Sequence, residues 1–195
     1  MIVSEKYGKQ MQIRSILIPL IILFSSGCGI LLGNVRPEDE KSASYGVTDL
    51  AKEAPTVWRK LDAASEGVNP KDTDATQTEV ADVAYQNKKS SAIISLNSVC
   101  RTQPDEKNNL KEDAKLLFLG ISEVTLREEM STELQGAPAL ETTLQGKLNH
   151  EPVKLRAVVT RRKTCLYDLL YVSRPERFPE NEADFGRFVS SLRLK

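Results

Sequence analysis

Apolar residues recur at two different spacings along this chain, and each change of spacing marks an element. Asp82 to Tyr85 and Ser91 to Val99 are apolar-rich extended segments separated by Gln86-Asn-Lys-Lys-Ser90, the composition of a hairpin turn. Leu110, Ala114, Leu117, Phe118 and Ile121 then recur at three- and four-residue intervals. That stripe predicts an amphipathic helix of about four turns, started by the acidic Pro104-Asp105-Glu106 and ended near Gly120. Beyond it the period falls to two. Val124 and Leu126 alternate with polar neighbours, as do Leu140, Thr142, Leu144 and Leu148, and then Leu155, Ala157 and Val159. Cys165 to Ser173 is apolar on both faces and predicts a strongly buried strand. Turns are expected at Gly136-Ala-Pro138, Gln145-Gly146, Asn149-His-Glu-Pro152 and Arg161-Arg-Lys-Thr164. Pro175, Pro179 and the acidic run Glu180 to Asp184 break the sheet and open a last helix. Its inner face is Phe185, Phe188, Val189 and Leu192, with the two aromatics packed on one sheet face beside the first helix.

The predicted fold class is α+β: an antiparallel β-meander sheet packed by a central amphipathic helix and a C-terminal helix. Order is expected to begin at Pro55-Thr-Val-Trp58, where the lone tryptophan pins a short strand. Residues 62–79, with Gly67, Asn69 and Pro70, read as a polar loop. Over residues 55–195 the order of elements, the tyrosine-rich final strand and the phenylalanine-bearing last helix resemble the PsbP-like α/β/α sandwich. Members of that fold mostly bind or assemble with other proteins and few are enzymes, so the resemblance implies a binding role. It is a likeness of fold, not of motif.

The first third of the chain has another character. Lys6, Lys9 and Arg14 precede the apolar run Ile16 to Phe24, which gives way to Ser25-Ser26-Gly27-Cys28. Charge, then apolar residues, then small residues is the order of a secretory signal peptide. Ending on a cysteine, it resembles the lipobox of bacterial lipoproteins, with Ser25 where Leu is usual. The resemblance implies cleavage before Cys28, acylation of that cysteine, and anchorage to the membrane through the N-terminal lipid. Met11 opens a tidier signal than Met1. A second reading stays open, because Leu31 and Leu32 extend the apolar character to Gly33, about 20 residues that could span a bilayer uncleaved. The expected organisation is a signal peptide over 1–27, a lipid-anchored flexible tether over 28–54 and a globular domain over 55–195. Pro37-Glu-Asp-Glu-Lys-Ser42 sits in the tether, and Val47 to Lys52 has the makings of one helical turn.

Charge narrows the partners. The 195 residues balance at a formal charge of +0. Without residues 1–27 there remain 24 basic and 26 acidic side chains, a net −2. Such a domain carries no electrostatic footprint for nucleic acid and no polybasic surface for anionic lipid. Anchorage then falls to the acylated cysteine, for which several chains suffice where one would hold weakly.

Cysteine count adds a second signal. Setting Cys28 aside leaves Cys100, closing one apolar segment, and Cys165, opening another. An even pair in an oxidising compartment reads as a disulfide. The alternatives are two buried free thiols and, less well supported, a metal site. The only histidine, His150, lies far from both cysteines without ligand spacing.

Catalytic motifs are missing from the sequence. It holds no Gly-x-Ser-x-Gly elbow, phosphate loop, His-Glu-x-x-His or dinucleotide fingerprint. His150 reads as an exposed turn residue, and Glu128-Glu129 and Glu180/Glu182 as solvated carboxylates. No cofactor, metal or catalytic residue is therefore expected. Asp168, inside the apolar segment Leu166 to Val172, needs a partner, for which Arg156 and Arg177 are candidates. Arg161, Arg162 and Lys163, with Arg174 and Arg177, would form an anion site only if the two groups converge. The expected function is a lipid-anchored cell-envelope protein, periplasm-facing, whose non-catalytic domain binds an envelope protein partner as an accessory of an assembly or transport system. In the lipoproteins that the N-terminus resembles, Asp after the cysteine favours inner-membrane retention, so Gly29 there implies a slight preference for the outer membrane. A tethered carrier or sensor of small ligands is the alternative, and an anchored hydrolase a third class.

Overall fold

A computed structural model describes residues 35, 43–62, 81–102 and 109–194. Residues 1–27, Cys28, most of the expected tether, most of the polar loop and the acidic start Pro104-Asp105-Glu106 lie outside them. The described chain runs β1 (Tyr45–Gly46), α1 (Leu50–Glu53), β2 (Trp58–Lys60), β3 (Val83–Asn87), β4 (Ile93–Cys100), α2 (Leu110–Leu116) and β5 (Ile121–Leu134). It continues through β6 (Ala137–Leu148), β7 (Glu151–Arg162), β8 (Cys165–Ser173), a 3-10 helix (Pro175–Glu180), α3 (Glu182–Ser191) and β9 (Arg193–Leu194). The α+β class is as the sequence predicts.

Seven strands form one antiparallel sheet in the order β2-β3-β4-β8-β7-β6-β5. Strands β5 to β8 are the predicted meander, and β8 is central because β4 docks on its far side. That position explains its apolar character on both faces. The hairpin loops of the meander, Gln135-Gly136, Asn149-His150 and Lys163-Thr164, have two residues each. Gln135, Gly136, Asn149, His150 and Lys163 adopt positive φ, the backbone that matches the twist of tight hairpins. His150, exposed and at φ 71°, carries a steric cost for its Cβ there. We expect His150→Gly to raise stability by about 1 kcal/mol in a thermal melt.

Because side chains alternate along each strand, the sheet has two apolar faces. On one, Leu140, Leu144, Val153, Leu155, Ala157, Val159 and Leu170 pack with Ala114, Leu117 and Phe118 of α2 and the turn after it. On the other, Tyr85, Ile94, Leu96, Val158, Leu169 and Tyr171 pack with Leu50, Phe178, Phe185, Phe188 and Leu192. The two helices therefore lie on opposite faces, not side by side as the sequence reading had it. A central strand apolar on both faces requires a layer on each.

Helix α2 is also shorter than its stripe. Asn109 caps it, accepting from the N–H of Lys111, and Leu117 ends it. Phe118 joins the core from the following turn, which closes at Gly120 with φ 85°.

The aromatic face is fixed by geometry as well as by area. Tyr171 lies 4.5 Å from Phe178 and 5.7 Å from Phe185 between ring centroids, and Tyr85 meets Phe188 edge-on at 5.9 Å. The Tyr171 hydroxyl donates to the Phe178 carbonyl at 2.7 Å, and the Trp58 indole donates to Asp184 at 2.8 Å. Asn87 donates to Asn181 at 2.7 Å, and Asn181 donates in turn to Ser90 at 3.2 Å. This buried chain of amides locks the β3–β4 turn to the start of α3, since leaving any member unpaired there costs about 1–3 kcal/mol.

Two sequence expectations fail here for identifiable reasons. The folded domain begins before Pro55. Tyr45 and Gly46 pair with Leu194 and Arg193, Asp49 caps α1 through the N–H groups of Ala51 and Lys52, and Leu50 is only 1 % exposed. A single anchoring leucine in a polar run gives no periodic signal, so residues 45–54 read as tether. Gln145-Gly146 is likewise no turn but lies inside β6. Opposite it, β5 bulges between Ser122 and Leu126, and a Cβ on residue 146 would stand 2.6 Å from the Ser122 carbonyl oxygen. Gly146→Ala should cost about 2–3 kcal/mol of unfolding free energy, read by urea titration.

Candidate functional site

The two cysteines meet where the central strands end. The β4–β8 ladder sets Cys100 directly opposite Cys165, with Cα atoms 4.0 Å apart and the sulfurs bonded at 2.04 Å. One step further, the Arg101 N–H donates to the Thr164 carbonyl at 3.1 Å, so the β7–β8 hairpin and the end of β4 form one closed rim.

The basic residues do not assemble into one site. Arg161 lies on the α2 face and grips Asp113 with two hydrogen bonds of 2.9 and 2.7 Å. Arg162 points to the other face and donates to the Gln135 carbonyl at 3.3 Å. Arg174 and Arg177 follow the opposite end of β8, where Arg177 pairs with Glu180 at 3.0 Å and donates to the Lys89 carbonyl. The length of β8 keeps the two groups apart.

Asp168 is buried, as its place in the apolar strand implies, but Arg156 does not face it. Its position opposite Val159 puts it on the α2 face, whereas Arg156, opposite Tyr171, lies on the other. Arg156 instead pairs with Glu141 at 3.2 Å and Glu182 at 2.8 Å, and donates to Thr143. Here the parity of the strand overrides charge: residues 156 and 168 face apart whatever their attraction.

The Arg156 cluster ties β6 and β7 to the start of α3 on the aromatic face. Beside it, Lys154 lies 4.6 Å above the Phe178 ring. Burial raises the Tyr171 hydroxyl above its ordinary pKa. Burial also raises that of Tyr167, which Arg162 lowers and Asp82 raises. Both phenols therefore stay neutral at physiological pH.

His150 sits exposed in the β6–β7 loop. The paired carboxylates are dispersed: Glu129 on Arg127 and Lys111, Glu180 on Arg177, Glu182 on Arg156. Among the described residues no three His, Cys, Asp or Glu side chains converge as metal ligands. Among the described residues twelve large side chains are less than 2 % exposed, ten of them on the aromatic face and two, Leu144 and Leu155, on the α2 face.

The feature that the sequence did not reveal is the edge strand β5. The alternation of Val124 and Leu126 suggested a half-buried strand, yet most of β5 is exposed, with Val124 at 49 % and Met130 at 57 %. Beyond the bulge, Leu126 to Leu134 pair one-to-one with β6 up to the Gln135 turn. Among the described residues no strand lies on their other side.

No protein-family model and no curated protein matches this sequence. Solved structures do. The solution structure of cyanobacterial PsbP (CyanoP) from Synechocystis sp. PCC 6803 is 13 % identical, with 80 % of this chain and 95 % of that one covered at a TM-score of 0.51. LpqN of Mycobacterium tuberculosis, described as involved in cell envelope biogenesis, is 12 % identical, with 80 % and 86 % covered at a TM-score of 0.46. The first likeness spans four-fifths of this chain and nearly all of the other, and it bears on fold alone, the PsbP-like layering that the element order resembles.

Proposed function

We propose that this chain is a lipid-anchored protein of the bacterial cell envelope, held by an acylated Cys28, whose domain is a non-catalytic binding module. The observation that carries the reading is the cysteine pairing. With Cys100 bonded to Cys165, the one cysteine left over is the one that follows Ser-Ser-Gly after an apolar run. A disulfide across the central strands suits an oxidising compartment, to which such a leader would deliver the chain. Among the described residues no helix is long and apolar enough to cross a membrane, so attachment is assigned to the N-terminal segment. The tightly buried aromatic layer between the sheet and α3 favours recognition on the outer surface there over enclosure of a small ligand. We propose that such a surface serves an accessory role in an envelope assembly or transport system.

Intact mass and membrane fractionation of the natively expressed chain, beside Cys28→Ala, test the anchor. A mature chain beginning at Cys28 with acyl mass, lost together with membrane association in the variant, is the expected result. An unmodified full-length chain overturns it.

A further inference from the structure

We propose that the free edge of β5 pairs antiparallel with β5 of a second copy of this chain, about a two-fold axis at Met130. An open sheet edge is a row of unpaired N–H and C=O groups, which proteins usually blunt by shortness, proline, charged side chains, a bulge or a covering segment. The opposite edge, β2, is blunted in this way, being three residues long. In β5 the bulge protects only the stretch between Ser122 and Leu126. The nine residues Leu126 to Leu134 contain no proline, glycine or lysine.

The ends of this regular segment fix how two copies would meet. It is bounded by the bulge on one side and the Gln135-Gly136 turn on the other, so full overlap of two antiparallel copies centres on Met130. A two-fold axis perpendicular to the sheet keeps each face on its own side. Arg127 then stands opposite Glu133 of the second copy, and Glu133 opposite its Arg127. Leu126 meets Leu134 twice, Glu128 meets Thr132, Glu129 meets Ser131, and the two Met130 side chains touch at the axis. Opposite charges and apolar pairs across a ladder stabilise it, and like charges oppose it.

No neighbouring axis does as well. Axes at Arg127, Glu128 and Glu129 each set a charged residue against its own copy, and an axis at Ser131 opposes Glu129 to Glu133. Glu133 is exposed and has no ion pair among the described residues, while Arg127 is shared only with Glu129. The exposure of Met130 is what such an axis would cover. One added strand pair is a small interface, so association is concentration-dependent, and confinement to a membrane surface would strengthen it.

The test is cysteine cross-linking of the full-length chain in its native membrane, under mild oxidation, read on non-reducing gels. Met130→Cys should give a covalent dimer. Glu128→Cys and Thr132→Cys should each give little alone but a mixed dimer when co-expressed, since they face each other across the axis. Adding Glu133→Arg to Met130→Cys should lower the dimer yield roughly tenfold, because two opposed pairs turn repulsive. Adding Arg127→Glu as well should restore it. The proposal fails if Met130→Cys cross-links no better than Lys89→Cys in the exposed β3–β4 turn, or if Glu128→Cys alone does as well. It fails too if the product is an adduct with a different protein. Loss of the lipid leaves the mass test negative while this cross-link persists, so the two readings fail separately.

Discussion

Serine at both Cys100 and Cys165 should lower the unfolding free energy by about 4 kcal/mol. The bridge closes a loop of 65 residues, and the chain entropy it removes from the unfolded state sets that figure. For a domain of this size the melting temperature should fall by roughly 10–15 °C. The location adds a kinetic expectation. The bridge joins directly opposed residues of β4 and β8, the pairing that connects the β2–β4 half of the sheet to the meander. Without it, that ladder must form from strands separated by α2 and three long strands, and such non-local pairing is slow. Stopped-flow refolding of the serine variant should therefore be slower than that of the bridged chain. Equal melting temperatures for the two would show that the bridge does not constrain the unfolded state.

A chain beginning at Pro55 should be less stable than one beginning at Ala43 by about 4 kcal/mol. Deleting residues 43–54 removes Leu50 from the aromatic face, a loss of about 1.5–3 kcal/mol by area. It also uncovers the surfaces that Tyr45, Val47, Ala51 and Ala54 shield. The Ser191 hydroxyl loses the Thr48 N–H, now at 2.9 Å, and β9 loses β1, the strand it pairs with. Urea titration of the two chains measures the difference. Coincident curves would return residues 45–54 to the tether that their composition suggested.

The contrast between these segments shows what was legible in the sequence. Long strands with regular alternation, such as β7 and β8, announced themselves because every second residue enters a core. Alternation also tells which residues of one strand share a face. It does not tell which strand lies alongside, and that is why Arg156 was a plausible partner for Asp168 until the β7–β8 register placed them on opposite sides. The cysteines carried the one long-range clue, since a bridge requires β4 and β8 to be neighbours. Helix α2 was overestimated because Phe118 and Ile121 continue its apolar stripe from a turn and a strand. The bulge in β5 was invisible, as its only trace is a glycine on another strand. The exposed edge was hidden for a related reason: Ser, Thr and Glu in alternation with Val, Leu and Met describe an edge strand and a half-buried one equally well.

The small β1–β9 ladder has a mechanical meaning. Tyr45 lies opposite Leu194, so both ends of the folded chain leave the domain side by side, and a tethered domain hangs from a single point. Tension applied at residue 43 would reach the sheet only after passing through two residue pairs, the Thr48–Ser191 hydrogen bond and the packed side chains of Tyr45, Val47, Leu50, Ala51 and Ala54. That clasp is the weakest link in series, and it would yield while the disulfide-bridged sheet stayed whole. Were the chain pulled from the proposed N-terminal anchor, this segment should lengthen first, by about a dozen residues or roughly 40 Å of chain, while the sheet stays intact.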